Sequence, residues 1–138
     1  MEAVVITQSI VIQAERSRVW RAITMPEHIA KWFQPIHFER FAIGEAVTFD
    51  RGAKGSIAII EPVDRFGFHG QIALSHPAQT LVIFTLETVP EGTRLTVTEQ
   101  GFEALPEEMR ESYFKGNIQG WEKVLSNLTA YILAGHHD

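Results

Sequence analysis

Hydrophobic and polar positions alternate at both ends of the sheet-like part of this chain, and a helical stripe follows. Val4, Ile6, Ile10 and Ile12 alternate with polar or smaller neighbours, which predicts a strand with one buried face. Val19, Trp20 and Ile23 give the next segment, Glu15 to Ile23, an apolar side at helical spacing. Thr24-Met25-Pro26-Glu27 reads as a capping box, with a hydroxyl cap, a proline in the first turn and a glutamate three residues on. A second short helix should begin there and run to about Phe33, with Pro35 stopping it.

From Ile36 to Glu99 the pattern is that of strands punctuated by Gly44, Gly52, Gly55, Pro62, Gly67, Pro77 and Gly92. Val47 and Phe49 alternate with polar residues, as do Leu95 and Val97, and Val82, Phe84 and Leu86 share one face. Ile57 to Ile60 is a continuous apolar run whose inner face the pattern leaves open. Pro90-Glu91-Gly92 is a tight turn at hairpin distance. No long helical stretch separates these strands, so an antiparallel sheet is expected.

Pro106-Glu107-Glu108 then places acid at the positive end of a long helix. Phe114, Ile118, Trp121, Leu125, Leu128 and Ile132 form one apolar stripe over about five turns. A helix from Glu107 to Leu133 would be roughly 40 Å long and lie across the sheet, with Gly135 ending it.

Composition narrows the function. The 138 residues fit a single domain, 1–138, with no repeat or low-complexity segment. Their N-terminus lacks the basic start and apolar block of a signal peptide. No run approaches the roughly 18 apolar residues of a membrane span. With no cysteine there are no disulfides, thiolate zinc sites or cysteine nucleophiles, a usage compatible with a cytoplasmic protein. Twelve basic against 17 acidic residues, net −5, leave no basic footprint for nucleic acid or anionic membranes.

The order strand, two short helices, antiparallel strands and one long helix resembles the helix-grip fold of the START and pollen-allergen-like superfamily, often called SRPBCC. Within it the chain resembles the branch named for activators of the heat-shock protein 90 ATPase. The residues that carry the likeness are Ala14, Val19-Trp20, Ala22-Ile23-Thr24, Pro26-Glu27 and Trp32, then Gly92 to Glu99, Gly101-Phe102, Asn117 and Gly120-Trp121. They span nearly the whole chain. Glu15 and Met25 depart from the branch, whose members often carry proline and aspartate there; both changes weaken helix caps.

The resemblance implies an α+β fold in which a curved sheet grips the C-terminal helix around a cavity. Relatives use that cavity for sterols, lipids, polyketides and plant phenolics, and some catalyse cyclisation or hydrolysis there. The co-chaperone itself carries an additional domain that this chain has no room for.

The expected function is therefore binding of a small hydrophobic molecule, with no cofactor or metal. The rivals are a cyclase- or hydrolase-type enzyme and a co-chaperone-like interaction module. Chaperone contact or self-association through an edge strand has no committed residue.

Candidate lining residues are Phe49, Phe84, Phe114 and Trp121, with Trp32 and Phe68 at the mouth. With nine Phe and three Trp the same side chains could instead fill the half-pipe. Trp121 lies on the stripe that must face the sheet, as core or as cavity wall. Gly116 and Gly120 mark one strip of the long helix, for close backbone approach or for room beside a ligand. Asn117 adjoins that strip and needs hydrogen-bond partners if buried.

Glu99 shares the face of Leu95 and Val97. There it either orients a ligand hydroxyl or acts as a base, or it has already emerged into solvent before Gly101. Arg51, on the face of Val47 and Phe49, could pair with it. By alternation from Phe66 and Phe68, His69 falls on the opposite face. The histidines form no ligand set, and a surface position is the expectation for each. Gly52-Ala53-Lys54-Gly55-Ser56 is superficially like a phosphate loop but lacks its spacing and reads as a hairpin. No residue is assigned as catalytic.

Overall fold

The computed structural model describes residues 5–135. Val4 and His136-His137 lie outside them. In chain order the elements are β1 (Val5–Ile12), α1 (Arg16–Thr24), α2 (Pro26–Trp32), β2 (Ile36–His37), β3 (Ala46–Phe49), β4 (Lys54–Glu61), β5 (Arg65–Gln71), β6 (Gln79–Val89), β7 (Gly92–Gln100) and α3 (Glu107–Leu133). Single 3-10 turns precede β4 and α3.

The strands form one antiparallel sheet in the order β1-β7-β6-β5-β4-β3-β2. β2 to β7 is a meander, and β1 closes it at β7. The chain therefore crosses from one edge of the sheet to the other through α1 and α2. This curved sheet with a long terminal helix on its inner side is the helix-grip arrangement.

Alternation sets the inner face. On β7 Thr93, Leu95, Val97 and Glu99 are buried, and on β6 Thr80, Val82, Phe84 and Leu86. Leu95 faces Leu86 and Val97 faces Phe84 across the pair. The open reading of Ile57 to Ile60 is settled by a break in register between Ile57 and Ile59. The extra residue lets Ile57 pair with Phe68 and Ile60 with Phe66, while Ile59 pairs with Gly67. A side chain on Gly67 would press Ile59 at 3.2 Å.

The turn residues behave as their chemistry dictates. Val89 pairs with Gly92 around Pro90-Glu91. Gly92 has φ 140°, and a Cβ there would fall 2.2 Å from the Ile12 carbonyl oxygen, so only glycine lets β1 pass over it. Gly52 to Ser56 is a hairpin between β3 and β4, with Thr48 opposite Lys54.

The Thr24 capping box does not form. Thr24 is the last residue of α1, and its hydroxyl donates to the Trp20 carbonyl at 2.7 Å. Met25 caps both helices through its backbone: its N–H donates to Arg21 O and its carbonyl accepts from His28 and Ile29. With only Met25 between the helices, Thr24 belongs to α1 and Met25 takes the N-cap position of α2. Glu15 and Met25 give no side-chain cap, as their departure from the family pattern implies.

α3 buries Trp121, Leu125, Leu128 and Ile132, while Phe114 and Ile118 are half-buried. Its C-terminal half is thus the packed half. Gly116 and Gly120 do not mark close backbone approach, because a Cβ built on either meets no atom within 4 Å. Nothing in the packing asks for glycine at these two positions. Gly116→Ala and Gly120→Ala should therefore each stabilise by up to about 1 kcal/mol, seen as a rise in Tm. A fall in Tm for either would show that the glycine serves the packing after all.

Candidate functional site

The uncovered half of α3 borders a cleft of about 630 Å³ between helix and sheet. Its floor comes from strands. Gly55 and Gly70 pair across β4 and β5, leaving the sheet there without side chains. The Phe49 ring lies over this gap, 3.5 Å from where a Gly70 Cβ would sit. Phe68 follows at a ring separation of 5.6 Å. Gly55 has no room for a side chain, since a Cβ there would fall 1.9 Å from the His69 carbonyl oxygen and 2.9 Å from the Phe49 ring.

The helical wall is Tyr113, Asn117, Gly120, Trp121 and Val124. Trp121 is 6% exposed. Its ring stacks on Phe33 at 5.7 Å and meets Phe84 edge-on at 5.7 Å. Phe33 is the residue that ends α2, and it stacks in turn on Trp32 at 5.6 Å. The rim is polar, with Asp50, Arg51 and Ser75 exposed beside the apolar Leu74.

Glu99 is the charged residue inside. It is 4% exposed and borders the cleft. Its Oε1 accepts from Trp121 Nε1 at 2.8 Å and from Asn117 Nδ2 at 3.0 Å. Its Oε2 accepts from the Thr80 hydroxyl at 2.5 Å. All three donors are neutral. The alternative in which β7 has already reached solvent at Glu99 is thereby excluded: Thr80 on β6 and the helix cover it. Arg51 is exposed at the rim and is not among its partners. The carboxylate bridges sheet and helix, and Gln8 adds a second bridge by donating to Ile118 O at 2.9 Å.

Of the residues expected to line a cavity, Phe49, Phe68, Glu99, Asn117 and Trp121 border the cleft. Phe68 is buried within it, not at the mouth. Trp32, Phe84 and Phe114 stand elsewhere. Trp32 is not at the mouth either: it is buried between the helices, its Nε1 donating to Ala22 O at 2.8 Å. Phe84 backs Trp121 and Phe68 from the core. Phe114 packs edge-on against Phe102 at 5.4 Å, away from the opening.

Phe33, Thr80 and Tyr113 also border the cleft without having been singled out. Thr80 lies two residues before Val82 on the same face, and Tyr113, Asn117, Gly120 and Val124 form a second stripe at helical spacing beside the apolar one. Those signals were present. Phe33 sits in an irregular backbone conformation at a helix end, which spacing does not encode.

His28 is buried and not a surface histidine; its Nδ1 shares a hydrogen bond with the Tyr131 hydroxyl at 2.5 Å. α2 docks against α3 there, so the histidine is covered by the very helix that begins far along the sequence.

The sequence matches the family described as Activator of Hsp90 ATPase homolog 1-like protein over residues 13–132. The chain belongs to this family. It is a family of the SRPBCC superfamily, and solved structures of that type share the fold.

Protein MLL2253 from Mesorhizobium loti is 24% identical with a TM-score of 0.82, covering 96% of this chain and 98% of its own. DynU16, a protein of the dynemicin biosynthetic locus, is 22% identical with a TM-score of 0.77 over 96% of this chain, which spans 48% of DynU16. The Aha1 dimer from Colwellia psychrerythraea is 19% identical with a TM-score of 0.71, covering 91% of this chain and 93% of its own. At these identities the likeness is one of fold. No curated protein matches the chain. Among the described residues no helix is long and apolar enough to cross a membrane.

Proposed function

We propose that this family member binds a small, largely apolar molecule in the cleft between the sheet and α3. The observation that carries the reading is an aromatic-walled space of about 630 Å³ with a single buried carboxylate at its side. That size and lining suit a small-molecule site, where apolar walls drive binding and a few polar groups fix orientation. DynU16, from a biosynthetic locus, lends the fold a setting in small-molecule chemistry.

A catalytic use of the same cleft is favoured by one feature: Glu99 and Tyr113, both able to exchange protons, border it. Binding is the common requirement of both readings.

Gly120 provides the test. It borders the cleft and has open space at its Cβ, so Gly120→Phe should fill the opening without straining the helix. Gly116→Phe, one turn away and off the cleft, is the control. Wild type and Gly116→Phe should bind 1-anilinonaphthalene-8-sulfonate saturably at one site, and Gly120→Phe should lose that site with its circular dichroism unchanged. Equal dye binding by all three would reject the cleft as the site. Native mass spectrometry before and after organic extraction would then give the mass of any resident ligand.

A further inference from the structure

Glu99 is a buried carboxylate whose partners are all neutral. It is 4% exposed and borders the cleft. Oε1 accepts from the Trp121 indole and the Asn117 amide, and Oε2 from the Thr80 hydroxyl alone. A carboxylate offers roughly four acceptor positions, about two on each oxygen, so one position on Oε2 is open. Among the described residues no cation pairs with this group.

Buried charges are matched by a counter-charge or by a metal. The buried wall around Glu99 supplies neither. Apart from Thr80 it consists of Phe49, Phe68, Ala73, Val82 and Trp121. Arg51 stands exposed at the rim. A metal ion would need several oxygen or nitrogen ligands, and among the described residues no three His, Cys, Asp or Glu side chains come together to hold one.

We infer that the ligand brings the missing counter-charge: it is an amine with an apolar body, bound as its ammonium ion with an N–H donated to Glu99 Oε2. The inference rests on the binding role proposed above and adds the group that selects among largely apolar molecules. A hydroxyl would fill the open acceptor position but leave the charge unmatched; an ammonium does both. The rings that border the cleft favour the same ion, because aromatic faces attract a cation that has left water. The net charge of −5 also favours the approach of a cation. An anionic group on a ligand would stay at the rim, beside Arg51.

Three probes on one naphthalene body separate these terms. They are N,N-dimethyl-2-naphthylmethylamine, its N-methylated quaternary ion, and 2-isobutylnaphthalene, the neutral carbon counterpart of the amine. Binding is followed by naphthalene emission at neutral pH, where the amine is protonated. Wild type should bind the amine roughly tenfold or more tighter than the hydrocarbon, the gain of one charge-assisted hydrogen bond. The quaternary ion keeps the charge but has no N–H, and should bind more weakly than the amine.

Glu99→Gln should abolish or reverse the preference for the amine over the hydrocarbon. Trp121 Nε1 and Asn117 Nδ2 only donate, so they hold the amide oxygen on their side. The amide NH2 then replaces Oε2 and presents hydrogens to the ammonium, with no charge to match it. Thr80→Val keeps the carboxylate, frees another acceptor position on Oε2 and should keep the preference, so the result does not hang on one variant folding.

An amine bound no tighter than the hydrocarbon in wild type, a quaternary ion bound as tightly as the amine, or an amine preference surviving in Glu99→Gln would each overturn the amine inference while the binding role stood. Absence of saturable binding by all three probes would overturn both.

Discussion

Trp121→Ala is expected to lower the unfolding free energy by about 3–5 kcal/mol, the cost of removing a buried tryptophan from a packed site. The side chain is 6% exposed and joins three partners: Phe33 after α2, and Phe84 and, through its Nε1, Glu99 in the sheet. Removing it deletes packing, opens the cleft into the core and strands one acceptor position of Glu99. Urea denaturation of the two proteins measures the loss. Trp121→Phe should cost less, because part of the ring contact persists although the donor and the rest of the indole are lost. The same pair bears on function. If the weakened Ala variant bound the probes as tightly as wild type, Trp121 would be core alone and the cleft wall would lie elsewhere.

Glu99→Leu should cost about 2–4 kcal/mol, because three donors lose their acceptor and each buried unmatched group is unfavourable. The donors are Thr80 on β6 and Asn117 and Trp121 on α3, so the loss loosens the helix from the sheet at the cleft and nowhere else. Hydrogen exchange should accordingly speed up in the first half of α3 more than in the half that carries Leu125, Leu128 and Ile132. Glu99→Gln should be milder, since its carbonyl still accepts from Trp121 and Asn117. A Leu variant as stable as wild type would mean that desolvating the carboxylate costs as much as its hydrogen bonds return.

The fold was legible because its large elements have unambiguous periods. The stripe from Phe114 to Ile132 and the acid-rich start at Glu107 gave α3 its bounds, and alternation in β6 and β7 gave their inner faces. The failures are local or long-range. Thr24 fits a capping pattern, but one intervening residue leaves the cap to the Met25 backbone. His28 looks like a surface residue until α3 covers it about a hundred positions later in the chain.

For the site, strand and helix periods put Glu99, Asn117 and Trp121 on inward faces, but only tertiary closure makes them partners. Whether Phe49 and Phe68 fill the half-pipe or line it is decided by how the helix and strands close around them, which spacing does not encode. Phe84 and Phe114 show the converse: an inward face at the right period can still be core, because period fixes the side of an element and not the depth.

The most direct measurement is an NMR titration of the indole N–H resonances with 1-anilinonaphthalene-8-sulfonate. The chain has three tryptophans, and each occupies a different environment. Trp121 borders the cleft, Trp32 is buried with its N–H on Ala22 O, and Trp20 packs edge-on to Phe66 at 6.5 Å. Saturable movement of the Trp121 resonance, with Trp20 and Trp32 still, is the predicted result. A titration in which Trp121 stays still while another tryptophan moves, or in which none moves at saturating probe, would contradict a binding site between the sheet and α3.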